Sequence, residues 1–160
     1  EGFVGATLIL RFIDSNVFLH AFLVPRRALT SEEQFVKDEA KKIVKRVEEG
    51  EEVVMSTVHL SEIINIVESG VGLQKSFRFL AWIIACNNIA VRSVSLRDYE
   101  AAFPLAKEND VSVNDALAYS FMIDEGVKEI YSFDSHFDNF KDIKRLPNLP
   151  MRVRNNRVKT

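Results

Sequence analysis

The sequence predicts an α/β fold: three layers, α/β/α, around a central, mostly parallel sheet of four to five strands. Short apolar, β-branched runs alternate with amphipathic stretches along the chain. Strands separated by helices pair in parallel and are covered on both faces. At 160 residues, 47% hydrophobic and 28% charged, the chain suits one domain with one substantial core.

The first strand is expected over Thr7 to Ile13. Asp14-Ser15-Asn16 then supplies helix-start chemistry for an apolar stretch, Val17 to Val24, closed by Pro25. Ser31 to Glu49 is an amphipathic helix with Glu32 and Glu33 in its first turn and Gly50 behind it. Glu52 to Met55 is the second strand, and Ser56 caps a helix reaching Glu68, with Gly70 behind it. A more hydrophobic helix covers Gly72 to Cys86, and Asn88 to Ser95 forms the third strand. Leu96 to Asn109 is helical, with Pro104 expected to kink or restart it. Val113 to Glu125 is a helix closed by Gly126, and Glu129 to Phe133 is the fourth strand. A short helix over His136 to Asp142 and an edge strand over Ile143 to Leu146 complete the pattern.

Composition excludes several classes. One cysteine, Cys86, removes a disulfide framework and a multi-thiolate zinc site, and suits a reducing cytoplasm. The apolar run Phe79 to Cys86 is far short of the ~20 residues of a membrane span. The opening Glu1-Gly2-Phe3-Val4-Gly5-Ala6 carries no basic n-region, so no signal peptide is expected. A soluble, cytoplasmic protein is the expectation. Net charge is −2, but residues 141–160 hold seven Lys/Arg against one acid, Asp142. Such a tail suits a phosphate backbone and equally a solvated terminus.

In a parallel sheet function gathers at the carboxyl ends of the strands. The first strand delivers Asp14 there and the fourth delivers Asp134. Asp115 begins the helix that precedes the fourth strand. About ten helical residues travel roughly 15 Å away from that edge, and about five strand residues return roughly 16 Å, so Asp115 and Asp134 share a rim. Glu62, in the helix after the second strand, leans toward its own N-terminus and the same edge. Four crowded carboxylates raise one another's pKa values unless a cation neutralises them. An all-oxygen set suits Mg²⁺ or Mn²⁺, and such a site activates water against a phosphodiester. Taken singly each acid has an ordinary role: Asp14 as a helix cap, Asp115 in a capping box with Ser112, Asp134 in a turn, Glu62 on a helix surface.

The segments Phe12-Ile13-Asp14-Ser15-Asn16, Ser56-Thr57-Val58-His59-Leu60-Ser61-Glu62, Asn114-Asp115-Ala116-Leu117 and Tyr131-Ser132-Phe133-Asp134-Ser135-His136-Phe137 together resemble, in order, the four motifs of PIN domains. The resemblance spans Phe12 to Phe140. It implies a PIN-like nuclease domain over residues 1–150, followed by a basic C-terminal tail over 151–160. It also implies that Asp14, Glu62, Asp115 and Asp134 are the catalytic, metal-holding quartet for Mg²⁺, with Mn²⁺ as a substitute. Ser15, Asn16 and Ser132 are then groups that orient the carboxylates or water. Short single-domain members are often VapC-type toxins of toxin–antitoxin pairs, which implies an endoribonuclease acting on RNA, a cognate antitoxin and a homodimer. An RNA-maturation nuclease and a non-catalytic RNA- or protein-binding module are the alternatives. A phosphatase-like hydrolase using Asp14 is disfavoured, because Asn16 stands where a second Asp is needed. His136 stands where an additional acid is often found and reads as a rim residue, while Asp138 fits a capping box opened by Ser135. The run Phe77, Phe79, Leu80, Trp82, Ile83 and Ile84 is more apolar than one buried helix face requires and suits a protein contact.

Overall fold

Phe12 and Ile13 are adjacent and both fully buried, because successive residues of a strand feed opposite faces of a sheet. They belong to β1 (Arg11–Ile13), the middle strand of five. The computed structural model describes residues 8–150 and Val153. After β1 come α1 (Ser15–Phe22), α2 (Ser31–Glu48), β2 (Val53–Ser56), α3 (Thr57–Val71), α4 (Leu73–Ala85) and β3 (Ile89–Arg92). Then follow α5 (Leu96–Asn109), α6 (Val113–Glu125), β4 (Glu129–Tyr131), a 3₁₀ turn (Ser135–Asn139) and β5 (Lys144–Leu146).

The sheet order is β3-β2-β1-β4-β5, and every pairing is parallel. The α/β/α expectation holds. On one face Ile13, Val53, Met55 and Tyr131 pack with Val17 and Phe18 of α1, Ile43 of α2, Ile63 of α3 and Ile83 of α4. On the other, Phe12, Val54 and Ile130 meet Ala118 and Met122 of α6 and Phe137 and Phe140 after β4. Small residues, Ala102 and Ala106 of α5 against Ala116 of α6, join the two helices of that second face.

This order has a consequence for position. The chain leaves β1 toward β2 and β3, then returns to the opposite side of β1 for β4 and β5. The strand order therefore reverses between β1 and β4, which opens a crevice at their carboxyl ends. Asp14 follows β1 there, and its N–H donates to Tyr131 O at 2.9 Å, tying the crevice floor together.

The structure corrects several boundaries. β1 begins at Arg11, whose register partners are Val53 and Glu129. Leu8 and Ile9 precede those ladders and are 80% and 55% exposed, so their apolar character does not make them strand. α3 runs through Gly70 and stops at Gly72, since Gly72 takes φ 103° while Gly70 stays helical. Only a positive φ of that kind favours glycine as a stop. Pro104 lies inside an uninterrupted α5. It faces solvent, where water can serve the carbonyl that loses its helical partner. The turn after β4 is capped by Asp134, whose carboxylate accepts the His136 N–H at 2.9 Å. The cap is thus Asp134 rather than Ser135, and the Asp138 carboxylate makes a 2.7 Å ion pair with Arg145. The basic tail lies outside the described residues apart from Val153, which packs on Val36 and Leu149.

Two truncations within the opening apolar run test the register. Phe12→Ala should cost about 3–5 kcal/mol in urea denaturation, and Leu8→Ala within about 0.5 kcal/mol of nothing. Comparable losses at the two positions would contradict the strand boundary.

Candidate active site

Four backbone features bring the predicted acids together at the crevice. β1 ends at Ile13, and the next residue, Asp14, is the N-cap of α1 yet makes no side-chain capping bond. Its carboxylate is therefore free for other work, and the ordinary capping role does not account for it. Glu62 lies in the second turn of α3. Asp115 lies in the first turn of α6, where Ser112 caps the helix by accepting the Asp115 N–H at 3.1 Å. The chain after β4 turns sharply through Ser132 to Asp134.

Ser132 is the hub of the floor. Fully buried, its Oγ donates to Asp14 Oδ2 at 2.7 Å and accepts the Asp134 N–H at 3.0 Å. Asn16 Nδ2 donates to the same Oγ at 3.3 Å, while Asn16 Oδ1 accepts the Phe133 N–H at 3.2 Å. Ser15 Oγ donates to Glu62 Oε2 at 2.6 Å and stands 3.3 Å from Asp14 Oδ1. Ser15, Asn16 and Ser132 thus touch the acids or the loop that carries them.

Electrostatics records the crowding. Burial pushes the Asp14 carboxyl up to about 7, against the Ser132 hydrogen bond, with the charges of Glu62 and Asp134 adding to the rise. Burial pushes Asp115 up to about 6, reinforced by Asp14 and Asp134 and opposed by Ser112 and His136. Each acid is thus within electrostatic reach of another of the four. Asp14 and Asp115 hold their protons firmly for want of nearby positive charge, and the oxygen donors gathered here match a hard divalent cation.

Two imidazoles and an amide extend the set. His136 Nδ1 lies 3.2 Å from Asp134 Oδ1 and 3.9 Å from Asp115 Oδ2. One ligand atom from each of Asp115, Asp134 and His136 falls within 4.8 Å of the others. His136, read from sequence as a rim residue, therefore stands among the acids. Asn114 Nδ2 donates a short hydrogen bond to Glu62 Oε1. It is the second residue of α6, and its neighbouring position to Asp115 at a helix start was the available signal. His59 is buried on α3 with its Nε2 3.9 Å from Asp14 Oδ1; its spacing of three from Glu62 puts both on one helix face.

The protein with this fold and this acid-lined crevice matches one family model, the PIN domain, over residues 11–143. The chain belongs to the PIN domain family. No curated protein sequence matches it. Among solved structures it is similar to VapC20 of Mycobacterium tuberculosis, a toxin that cleaves the sarcin-ricin loop, with TM-score 0.64 and 18% identity over 84% of this chain and 96% of that one. It is also similar to VapBC2 of Rickettsia felis, solved bound to a DNA fragment from its promoter, with TM-score 0.58 and 12% identity over 86% of this chain and 98% of that one. At these identities the likeness is one of fold.

The raised carboxyls make a prediction about the metal-free protein. A carboxyl whose folded pKa lies above its ordinary value near 4 contributes stability that is full below about pH 4 and is lost as pH rises through the folded value. The contribution of Asp14 and Asp115 should therefore fall between about pH 4 and 7, at a scale of ~1.4 kcal/mol for each tenfold change in proton affinity. Asp14→Asn should flatten the decline of melting temperature over that range, as read by circular dichroism. An unchanged slope in the variant would contradict the buried, crowded setting of Asp14.

Proposed function

We propose that this PIN domain is a divalent-metal-dependent endoribonuclease and the toxin of a VapBC-type toxin–antitoxin pair. The observation that carries the reading is the convergence of Asp14, Glu62, Asp115 and Asp134 on the crevice between β1 and β4, with two of them pushed up to about 7 and 6. VapC20, of the same fold, is described as a sarcin-ricin-loop-cleaving toxin, and VapBC2 as bound to a DNA fragment from its promoter.

In this proposal Asp14, Glu62, Asp115 and Asp134 hold Mg²⁺, or Mn²⁺ in its place. When bound, such an ion lowers the pKa of a coordinated water and stabilises charge that develops on the phosphate. The chain's own residues do the rest. Ser132 fixes Asp14 through Oδ2 and draws the Asp134 backbone toward it. Asn16 locks the Ser132–Phe133 turn. Ser15 and Asn114 hold the two oxygens of Glu62 in place. These restraints keep like-charged groups in a set geometry that water alone would let relax.

The same proposal assigns residues 1–150 to one nuclease domain and 151–160 to a basic tail that meets RNA phosphates. It places the protein in the cytoplasm; no helix among the described residues is long and apolar enough to cross a membrane. An antitoxin is assigned to the groove of about 350 Å³ between α1, α3, α4 and the end of α2, lined by Phe22, Val67, Phe79 and Trp82 with Glu48, Lys75 and Arg78 as its charged residues. Phe77 and Ile84 of α4 are 54% and 74% exposed, which matches the surplus apolar face expected from sequence.

A homodimer is assigned to α5. Leu96, Tyr99 and Phe103 are exposed on that helix, at spacings that put them on one face. An antiparallel twofold crossing centred between positions 103 and 104 sets position 100 opposite 107 and position 97 opposite 110. It pairs Glu100 with Lys107 and Arg97 with Asp110 in both directions, the self-complementarity an isologous interface needs.

Purified protein should cut a structured RNA pool in Mn²⁺ or Mg²⁺ and stop in EDTA, and Asp115→Asn should lose at least about 100-fold in rate. Mn²⁺ should raise the melting temperature of the wild type and leave a variant with all four acids changed to Ala unmoved. Cutting by Asp115→Asn at the wild-type rate would defeat the site assignment. For the dimer, Phe103→Glu should convert the protein to a monomer in sedimentation; a dimer that persists would place the interface elsewhere.

A further inference from the structure

His59 is 1% exposed and its Nε2 has no hydrogen-bond partner among the described residues. A buried polar nitrogen left without a partner costs roughly 1–3 kcal/mol, so its retention calls for a reason. The ring is held by its other nitrogen: Nδ1 lies 2.6 Å from the Oγ of fully buried Ser56. Phe12 packs edge-on against the imidazole at 5.1 Å. Turning the ring over would set a C–H against Ser56 Oγ and lose the one strong bond the ring makes.

Two neutral tautomers fit that bond. In the first, Ser56 Oγ–H donates to Nδ1 and the ring proton sits on Nε2, facing Asp14 Oδ1 at 3.9 Å. In the second, Nδ1–H donates to Ser56, and the Nε2 lone pair faces a carboxylate. Against an ionised Asp14, the form that holds a cation, the second sets electron density against a carboxylate oxygen, with Glu62 and Asp115 also within electrostatic reach of the ring. The first sets an N–H against it. Ser56 Oγ also accepts the His59 backbone N–H at 3.4 Å, which leaves its own proton to donate to Nδ1 and the ring proton on Nε2, so the donor is a neutral ring.

The two oxygens of Asp14 differ in what they receive. Oδ2 takes the Ser132 hydroxyl at 2.7 Å. Near Oδ1 stands Ser15 Oγ at 3.3 Å, but its single proton is committed to Glu62 at 2.6 Å; the Ser15 backbone N–H also donates to the Asp14 carboxylate, which leaves His59 as the facing side-chain donor. An N–H that lacks an acceptor and a carboxylate oxygen that lacks a firm side-chain donor therefore face each other across one gap.

We propose that His59 is a positioning residue whose neutral imidazole, protonated on Nε2, donates to Asp14 Oδ1 and fixes the direction in which that carboxylate faces the rim. The 3.9 Å separation is about an ångström beyond normal hydrogen-bond length, a gap that a small turn of the Asp14 carboxylate closes. Being uncharged, the ring orients Asp14 without competing with a cation for it. The inference deepens the proposed cation site and rests on it for its functional meaning.

The test uses the full chain and two independent readouts. In the metal-free ¹⁵N-labelled protein, long-range ¹H–¹⁵N spectra should show His59 protonated on Nε2, with that signal moving in Asp14→Asn. Calorimetric Mn²⁺ affinity should drop at least about tenfold in His59→Leu and stay within about threefold of wild type in His59→Gln, which keeps an N–H donor. A proton on Nδ1, a signal indifferent to Asp14→Asn, or wild-type affinity in His59→Leu would each overturn the proposal. Should His59→Leu fail to fold, the Gln variant and the wild-type spectra decide. A wild type that binds no Mn²⁺ would defeat the cation site itself, and the tautomer and its response to Asp14→Asn then decide the role of His59 alone.

Discussion

The carboxylate of Asp14 is buried where a strand order reverses, and the surrounding structure is arranged around that fact. Burying a carboxylate is costly without hydrogen bonds or a counter-charge. Here the backbone sets the position through the Asp14 N–H to Tyr131 O bond, which joins β1 to β4 beyond the last residue of the strand. Ser132, one residue past β4, then supplies the bond to Oδ2. The same hydroxyl takes the Asp134 N–H, so the second acid is placed by the group that satisfies the first. The shortness of β1 and β4 follows: each must end early enough for its successor residues to turn across the sheet edge.

The two layers of helices divide the labour. α1 and α3, on one face, carry Ser15 and Glu62, and their N-termini point to the crevice. α6, on the other, carries Asn114 and Asp115 in its first turn. The Asn114–Glu62 bond crosses from one layer to the other over the top of the sheet. The site is thus closed by helix starts from both faces, and helix starts offer a modest positive potential to anions. That arrangement suits a rim that carries several carboxylates.

Much of the fold was legible because the apolar runs are short and bounded. Phe12-Ile13, Val53-Val54-Met55 and Ile130-Tyr131 alternate between two cores, and Gly126, with φ 69°, marks the end of α6 where the pattern places it. Strand polarity and length also put the four acids on one edge; the structure sets Asp115 and Asp134 close together with His136 and leaves Asp14 and Glu62 within electrostatic reach. Misread positions share one cause: local pattern does not show where a hydrogen-bonding partner runs out. Leu8 and Ile9 look like strand until β2 and β4 fail to reach them. Gly70 looks like a stop until the chain behind it is seen to stay helical. The ion pair of Asp138 with Arg145 from β5 was likewise invisible, because that residue is adjacent only in the folded chain. His59 and Asn114 lay inside the quoted motifs, yet their partners are 45 and 52 positions away, beyond the reach of any local rule.

The central claim is that Asp14, Glu62, Asp115 and Asp134 form one cation site in the β1/β4 crevice. Anomalous diffraction from crystals soaked in Mn²⁺, with data at the manganese edge, tests it most directly. The account predicts a peak at the carboxyl ends of β1 and β4, at direct-coordination distance from Asp14 and at least one of Asp115 and Asp134. No peak there at saturating metal, or an ion held elsewhere on the protein, would contradict it.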